Sequence, residues 1–131
     1  MRSHFASSLL AITVVGCATT AATPEDVALA NTPLYCSGEQ ECKTAWRRAQ
    51  VWVVENAGYK LQTTTDAILE TYNAPDFSTR LAMRVLREPG PNGLDRITLG
   101  LSCGKMPMCS QNHDTLTASF KRYVSGRTAL K

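Results

Sequence analysis

Histidine is nearly missing from this chain: the 131 residues hold two, His4 and His113. Any catalysis that routes a proton through imidazole would have to be built on one of them. The sequence has no serine-nucleophile motif, no glycine loop of the kind that cradles phosphate and no paired-carboxylate motif. It also has no marked excess of charge of either sign, with 14 basic against 11 acidic residues. The basic side chains (among them Lys43, Arg47, Arg48, Lys60, Arg84, Arg96, Lys121 and Arg122) are scattered among acids, which speaks against a nucleic-acid partner. Nor is there a long hydrophobic run. The most apolar stretch covers residues 5–15, short of the roughly 20 residues that a membrane-spanning helix needs.

What is present at the N-terminus has the layout of an export signal. Arg2 supplies a positive n-region, residues 5–15 an apolar h-region, and Ala11, Gly16 and Ala18 the small residues around a cleavage point. Loss of residues 1–16 removes Arg2 and so lowers the formal charge of +3 by one. The four residues Val14-Val15-Gly16-Cys17 resemble the lipobox of bacterial prolipoproteins. That resemblance implies that the Cys17 thiol receives a diacylglycerol, that Cys17 becomes the first residue of the mature chain, and that the palmitate-bearing protein is held at a membrane. Ala18 and Thr19, with no Asp after the cysteine, imply delivery to the outer membrane with the domain in the periplasm. The plain alternative is that Cys17 is one more small residue of a discarded signal peptide.

Five cysteines in an exported chain leave one over, and Cys17 accounts for it. The other four repeat one spacing, Cys36-x5-Cys42 and Cys103-x5-Cys109. An even count in an oxidising compartment points to two disulfides. Each copy encloses a glycine, Gly38 or Gly104, which favours local pairing of Cys36 with Cys42 and Cys103 with Cys109; crossed pairing is the alternative. A loop this short stabilises by about 2 to 2.5 kcal/mol in the chain-entropy treatment, so such bridges act mainly as clamps on the ends of elements.

Composition divides the chain into a signal peptide (1–16), a lipidated flexible linker (17–33) rich in Ala, Thr and Pro, a disulfide-stabilised domain (34–127) and a short tail (128–131). The domain opens on an expected helix with Ser37 as N-cap, Glu39 and Glu41 in the first turn and Gly58 at the C-terminal end. Cys42, Ala45, Trp46, Ala49, Val53 and Ala57 form its apolar stripe, with Trp46 the expected core anchor and Val51 and Trp52 widening the stripe.

The middle of the chain reads as strands over 59–65 and 67–72, then 80–87, then 95–103, with turns at Asn73-Ala74-Pro75-Asp76 and at the Pro- and Gly-rich stretch 88–93. Leu81, Met83 and Val85 alternate with polar or small neighbours, as do Ile97, Leu99 and Leu101, which leaves one apolar and one wet sheet face. A last helix follows, with Asp114 as expected N-cap and Leu116, Phe120, Tyr123 and Val124 on its buried side. The fold class is α+β in two layers: helix, antiparallel β-meander of three to four strands, helix, with both helices on one sheet face.

Chemistry-bearing groups concentrate in the stretch Cys103-Gly-Lys-Met-Pro-Met-Cys109-Ser-Gln-Asn-His113. Met106, Met108 and His113, with Cys109, are soft ligands that suit Cu(I), and they give an alternative reading as a periplasmic copper-handling protein. Disulfide formation would remove the thiols, and Pro107 also suits a plain turn. His113 adjoins Asp114, but neighbours in sequence rarely face one another, so neither is assigned catalysis. The wet sheet face offers Lys60, Arg84 and Arg96, together with Gln62 and Thr98, as a candidate partner-binding surface; a solvated sheet has the same composition.

Over residues 36–125, the two Cys-x5-Cys loops, Trp46 and Thr63-Thr-Thr-Asp-Ala-Ile-Leu-Glu-Thr-Tyr72 are similar to small proteobacterial envelope proteins without an assigned function. The resemblance implies the same disulfides and two-layer fold and carries no active site. The expected function is therefore a non-catalytic envelope lipoprotein without a cofactor, which binds another envelope protein or peptidoglycan. A lipoprotein that neutralises a toxin would share these features.

Overall fold

The computed structural model describes residues 21–105 and 109–127. Cys17, Met106 and Met108, with the expected signal peptide and tail, lie outside the described residues. The stretch expected to be a flexible linker holds a helix, α1 (Pro24–Asn31). Thr23 caps it by accepting a hydrogen bond from the Asp26 amide, Pro24 stands in the first turn, and Glu25 and Asp26 lie next to the positive end of the helix dipole. α1 buries no residue fully, which is why no apolar periodicity announces it. It is held instead by polar contacts with the last helix, α3 (His113–Val124). The Lys121 ammonium donates to the carbonyls of Leu29, Ala30 and Thr32 at 3.2, 2.5 and 2.6 Å, and Arg122 Nη2 meets Asp26 at 2.7 Å and Glu25 at 3.4 Å. The folded body thus begins near Pro24, ten residues earlier than composition indicates.

After α1 come β1 (Leu34–Ser37) and α2 (Gly38–Asn56). α2 buries Cys42, Ala45, Trp46, Ala49, Trp52 and Val53. Trp52 is 1% exposed and is the largest fully buried side chain, whereas Val51 is 45% exposed. The reason is angular: at about 100° per residue, position 52 lies roughly 60° from position 49 and roughly 20° from position 45 around the helix, on the buried side, and position 51 points away. Trp52 meets Phe120 of α3 edge to face, with ring centroids 5.2 Å apart. Trp46 belongs to the same core and donates from Nε1 to the Thr65 carbonyl at 2.9 Å. Ser37 takes the N-cap position but forms no side-chain capping bond. At the other end the C-cap is Ala57, and Gly58 serves close packing: a Cβ there would stand 2.9 Å from Arg80 Cβ and 3.0 Å from the Leu81 carbonyl.

Five strands follow the order β1-β5-β4-β3-β2 and are antiparallel throughout, one more than the upper end of the expected range. β2 (Leu61–Thr64) and β3 (Ile68–Thr71) are a hairpin broken at Asp66, where the Thr65 hydroxyl accepts from the amides of Ala67 and Ile68. β4 (Ala82–Pro89) and β5 (Leu94–Ser102) are joined by a 3-10 turn, Pro91–Gly93, with Asn92 and Gly93 at positive φ. Glu88 and Pro89 extend β4 rather than ending it, because both still pair, with Arg96 and Asp95. The strand missed from the sequence is β1, four residues long, which lies on the outer side of β5.

Leu69, Met83, Val85 and Ile97 point to the side of the sheet covered by α2 and α3 and join Trp46, Trp52, Phe120 and Val124 in one core. Both helices therefore lie on one face, as alternation indicates. The two disulfides are local, Cys36–Cys42 and Cys103–Cys109. The first ties β1 to the start of α2 within the core; the second closes the segment between β5 and α3. α3 starts two residues earlier than an Asp114 cap would place it: Asn112 is the cap, its Oδ1 accepting from the amides of Asp114 and Thr115.

Candidate functional site

Register places the wet-face residues in cross-strand rows. One row runs Glu70, Arg84, Gly100; the next has Ile68, Leu86 and Thr98; a third brings Glu88 and Tyr35 to either side of Arg96. Arg84 and Arg96 are thus on one face but about 13 Å apart along β5, at 3.3 Å per residue. Arg84 Nε is 3.7 Å from Glu70 Oε1, with half of the arginine side chain exposed; such a pair contributes less than about 1 kcal/mol and leaves the guanidinium open to competition. Lys60 is exposed at the far edge, just before β2, and its carbonyl accepts from the Tyr72 amide. Arg84 and Arg96 therefore share the uncovered face, Lys60 lies outside the strands, and the three expected basic residues do not converge on a point. Between them the small residues Ala82, Gly100 and Ser102 floor a shallow depression of about 230 Å³, rimmed by Glu70, Asn73 and Arg84.

A larger groove, about 620 Å³, lies beside the outermost strand β1, between the first turns of α2 and the end of α3. Leu34, Ala45 and Val124 give it an apolar floor, while Glu39, Glu41 and Arg48 line its mouth. It was illegible in the sequence because β1 was. The short apolar run Leu34-Tyr35-Cys36 is the one signal that could have found it.

A third surface surrounds the second disulfide. The connection from β3 to β4 folds back over Gly104: the Gly104 amide donates to Ser78 O and the Ser110 amide to Thr79 O, both at 2.8 Å. Gly104 is required there, since a Cβ would fall 2.1 Å from the Pro75 carbonyl oxygen. Tyr59 Oη and Ser78 Oγ are 2.5 Å apart, Arg80 stacks 5.1 Å from the centre of the Tyr59 ring and donates to the Gly58 carbonyl, and Lys105 pairs with Asp76 at 3.1 Å. At the tip stands Phe77, 77% exposed and with φ 65°. It falls between the expected turn at 73–76 and the strand expected over 80–87; an aromatic immediately after Asn-Ala-Pro-Asp is the signal that marks it.

For the copper reading, Met106 and Met108 lie outside the described residues, Cys109 is bonded to Cys103, and His113 is exposed at the first position of α3. Among the described residues, Cys36, Cys42 and Asp95 bring potential ligand atoms within 4.8 Å of one another. Both sulfurs are held in the disulfide, and a metal requires thiolate. Asp95 is engaged elsewhere, its Oδ2 accepting from Arg87 Nε at 2.8 Å and Nη2 at 2.7 Å.

No protein-family model matches the chain, and neither a curated protein nor a solved structure is found to match it.

Proposed function

We propose that this protein is a lipid-anchored, non-catalytic binding module of the bacterial envelope, tethered through Cys17 to the outer membrane with its domain in the periplasm. The observation that carries the binding role is the one-sided sheet. α2 and α3 cover one face and leave the other with Arg84 and Arg96 exposed beside Tyr35, Leu86 and Ile68, a mixture of arginine, aromatic and aliphatic groups suited to a protein contact. Two disulfides fit an oxidising compartment. Among the described residues no helix is long and apolar enough to cross a membrane, and the lipobox-like sequence supplies attachment by other means. With α1 docked on α3, six residues (18–23) separate Cys17 from that helix, at most about 21 Å of chain, so the anchor keeps the domain close to the bilayer.

The test has two arms. Cells grown with labelled palmitate should label the wild type and not Cys17→Ala, and only the wild type should sediment with membranes. Pull-down from detergent-solubilised envelopes should recover a component with the wild type that is lost with Arg84→Glu plus Arg96→Glu. Absence of label sinks the anchor, and equal recovery by the double variant sinks the sheet face as the binding surface.

A further inference from the structure

We propose that Phe77 is a preorganised anchor that inserts into an apolar pocket of a protein partner on the side of the domain away from the bilayer. The direction rests on the lipid-anchor reading; the anchor itself rests on the loop.

A bulky side chain at positive φ is a genuine outlier, and such conformations persist where the surroundings over-determine them. Here the surroundings are visible. Gly104 lies under the loop with no room for a Cβ, the two backbone bonds to Ser78 and Thr79 fix its return, and the Cys103–Cys109 bridge holds the supporting segment. All of this framework presents a side chain that contributes nothing to the core, because the phenyl ring is in water. Tyr72, also exposed, starts the same connection. A rigid aromatic that projects singly loses little conformational entropy on binding and matches the form of an interface hot spot.

Two observations favour a protein pocket over a lipid surface. Among the described residues the loop's two basic groups stand apart, Lys105 beside the acid Asp76 and Arg80 over the Tyr59 ring and on the Gly58 carbonyl, so they form no cationic cluster for anionic headgroups. The loop is also remote from the tether. The chain enters the domain at Glu25 and Asp26, against Arg122 near the C-terminal end of α3, whereas the Phe77 loop is bonded to Ser110, just before its N-terminus. α3, with 12 residues, separates the two by about 18 Å.

The test places the photo-crosslinking amino acid p-benzoylphenylalanine at position 77 of the full-length chain in cells, with position 54, also exposed but on α2, as control. The expected result is one discrete protein adduct at 77 and none at 54. Once identified and purified, that partner should bind Phe77→Ala at least about tenfold more weakly than wild type, and Phe77→Leu within about threefold. Phe77→Gly, which suits positive φ, should match or exceed the wild-type thermal midpoint. Crosslinking to lipid alone, equal adducts at both positions, unchanged affinity of Phe77→Ala or a lowered midpoint of Phe77→Gly would each overturn the proposal. Palmitate labelling separates the two readings: a protein adduct at 77 on an unlabelled chain retains the anchor and removes the tether.

Discussion

Lys121 and Ala30 are 91 positions apart in the sequence, and the lysine ammonium donates to the Ala30 carbonyl at 2.5 Å. With the Leu29 and Thr32 carbonyls it closes the C-terminal end of α1, where unpaired carbonyls and the negative end of the helix dipole both favour a cation. Lys121 is only 8% exposed, so its charge is used as a structural clasp rather than as surface solvation. Docking of the first helix therefore depends on α3, and nothing in α1's own apolar content would keep it there.

Lys121→Met keeps the stem and removes the donors. It should cost about 1 to 3 kcal/mol, the usual range for stranding buried polar groups, and release α1 locally rather than unfold the domain. Hydrogen exchange should quicken for residues 24–32 and stay unchanged in α2. Equal acceleration in α2 would show that α1 and the core open together.

Burial first, and then the neighbouring Arg96, pull the Lys121 pKa below its ordinary value of 10.5. A lysine whose folded pKa is depressed binds its proton more weakly folded than unfolded, so at neutral pH burial and Arg96 oppose part of what the ammonium contributes as a clasp. That opposition fades as pH rises through the interval between the two values. Arg96→Gln removes the repulsion but not the burial. An NMR titration should show Lys121 deprotonating at a higher pH in the variant, and exchange in 24–32 should slow at neutral pH.

Trp52→Ala should be the most damaging single truncation, about 3 to 5 kcal/mol, because it empties a fully enclosed site and removes the ring that Phe120 packs against. Trp46→Phe retains most of the volume and loses only the Nε1 bond to Thr65, so about 1 kcal/mol is expected. Chemical denaturation of the two variants checks the order. A larger loss for Trp46→Phe would return the anchor role to Trp46.

What the sequence made legible followed from strong periodicity. The α2 stripe, the alternation in β4 and β5 and the paired cysteines each repeat several times, and the two-layer arrangement with helices on one face follows from them. Elements held by polar or single contacts were hidden. α1 lacks an apolar face, β1 is too short to alternate, and Phe77 is defined by backbone geometry that no composition reveals. The Thr23-Pro24-Glu25-Asp26 signature was readable as a helix start but was submerged in an Ala- and Thr-rich background. Arg84 and Arg96 fall on the open face that alternation outlines, yet their separation by two rows follows from a register that alternation alone does not set.

At the start of α3, Asn112→Ala should cost about 1 kcal/mol, since its side chain accepts from two amides that have no other partner in the helix. Asp114→Asn removes only a first-turn charge and should cost a few tenths. Thermal unfolding of both variants decides between the two caps, and the reverse order would restore Asp114.

Gly104→Ala and Gly100→Ala form a matched pair that isolates the support of the Phe77 loop. A methyl at Gly100 meets only the Arg84 carbonyl at 3.6 Å, ordinary contact on the open face, and should change stability by no more than about 0.5 kcal/mol beyond the small gain in backbone stiffness. A methyl at Gly104 meets backbone atoms at 2.1, 2.7 and 2.9 Å, so the loop carrying Phe77 must move or the segment closed by Cys103 and Cys109 must shift. Because rigid backbone and not a flexible side chain stands in the way, several kcal/mol of local destabilisation are expected. The signature is specific: amide exchange at Ser78, Thr79 and Gly104 should accelerate, and the Cys103–Cys109 bridge should reduce at lower thiol concentration, while the Cys36–Cys42 bridge and α2 stay as in the wild type. If Gly104→Ala leaves the loop amides protected, Phe77 is not held by this framework, and its exposed ring loses the preorganisation on which its role as an anchor depends.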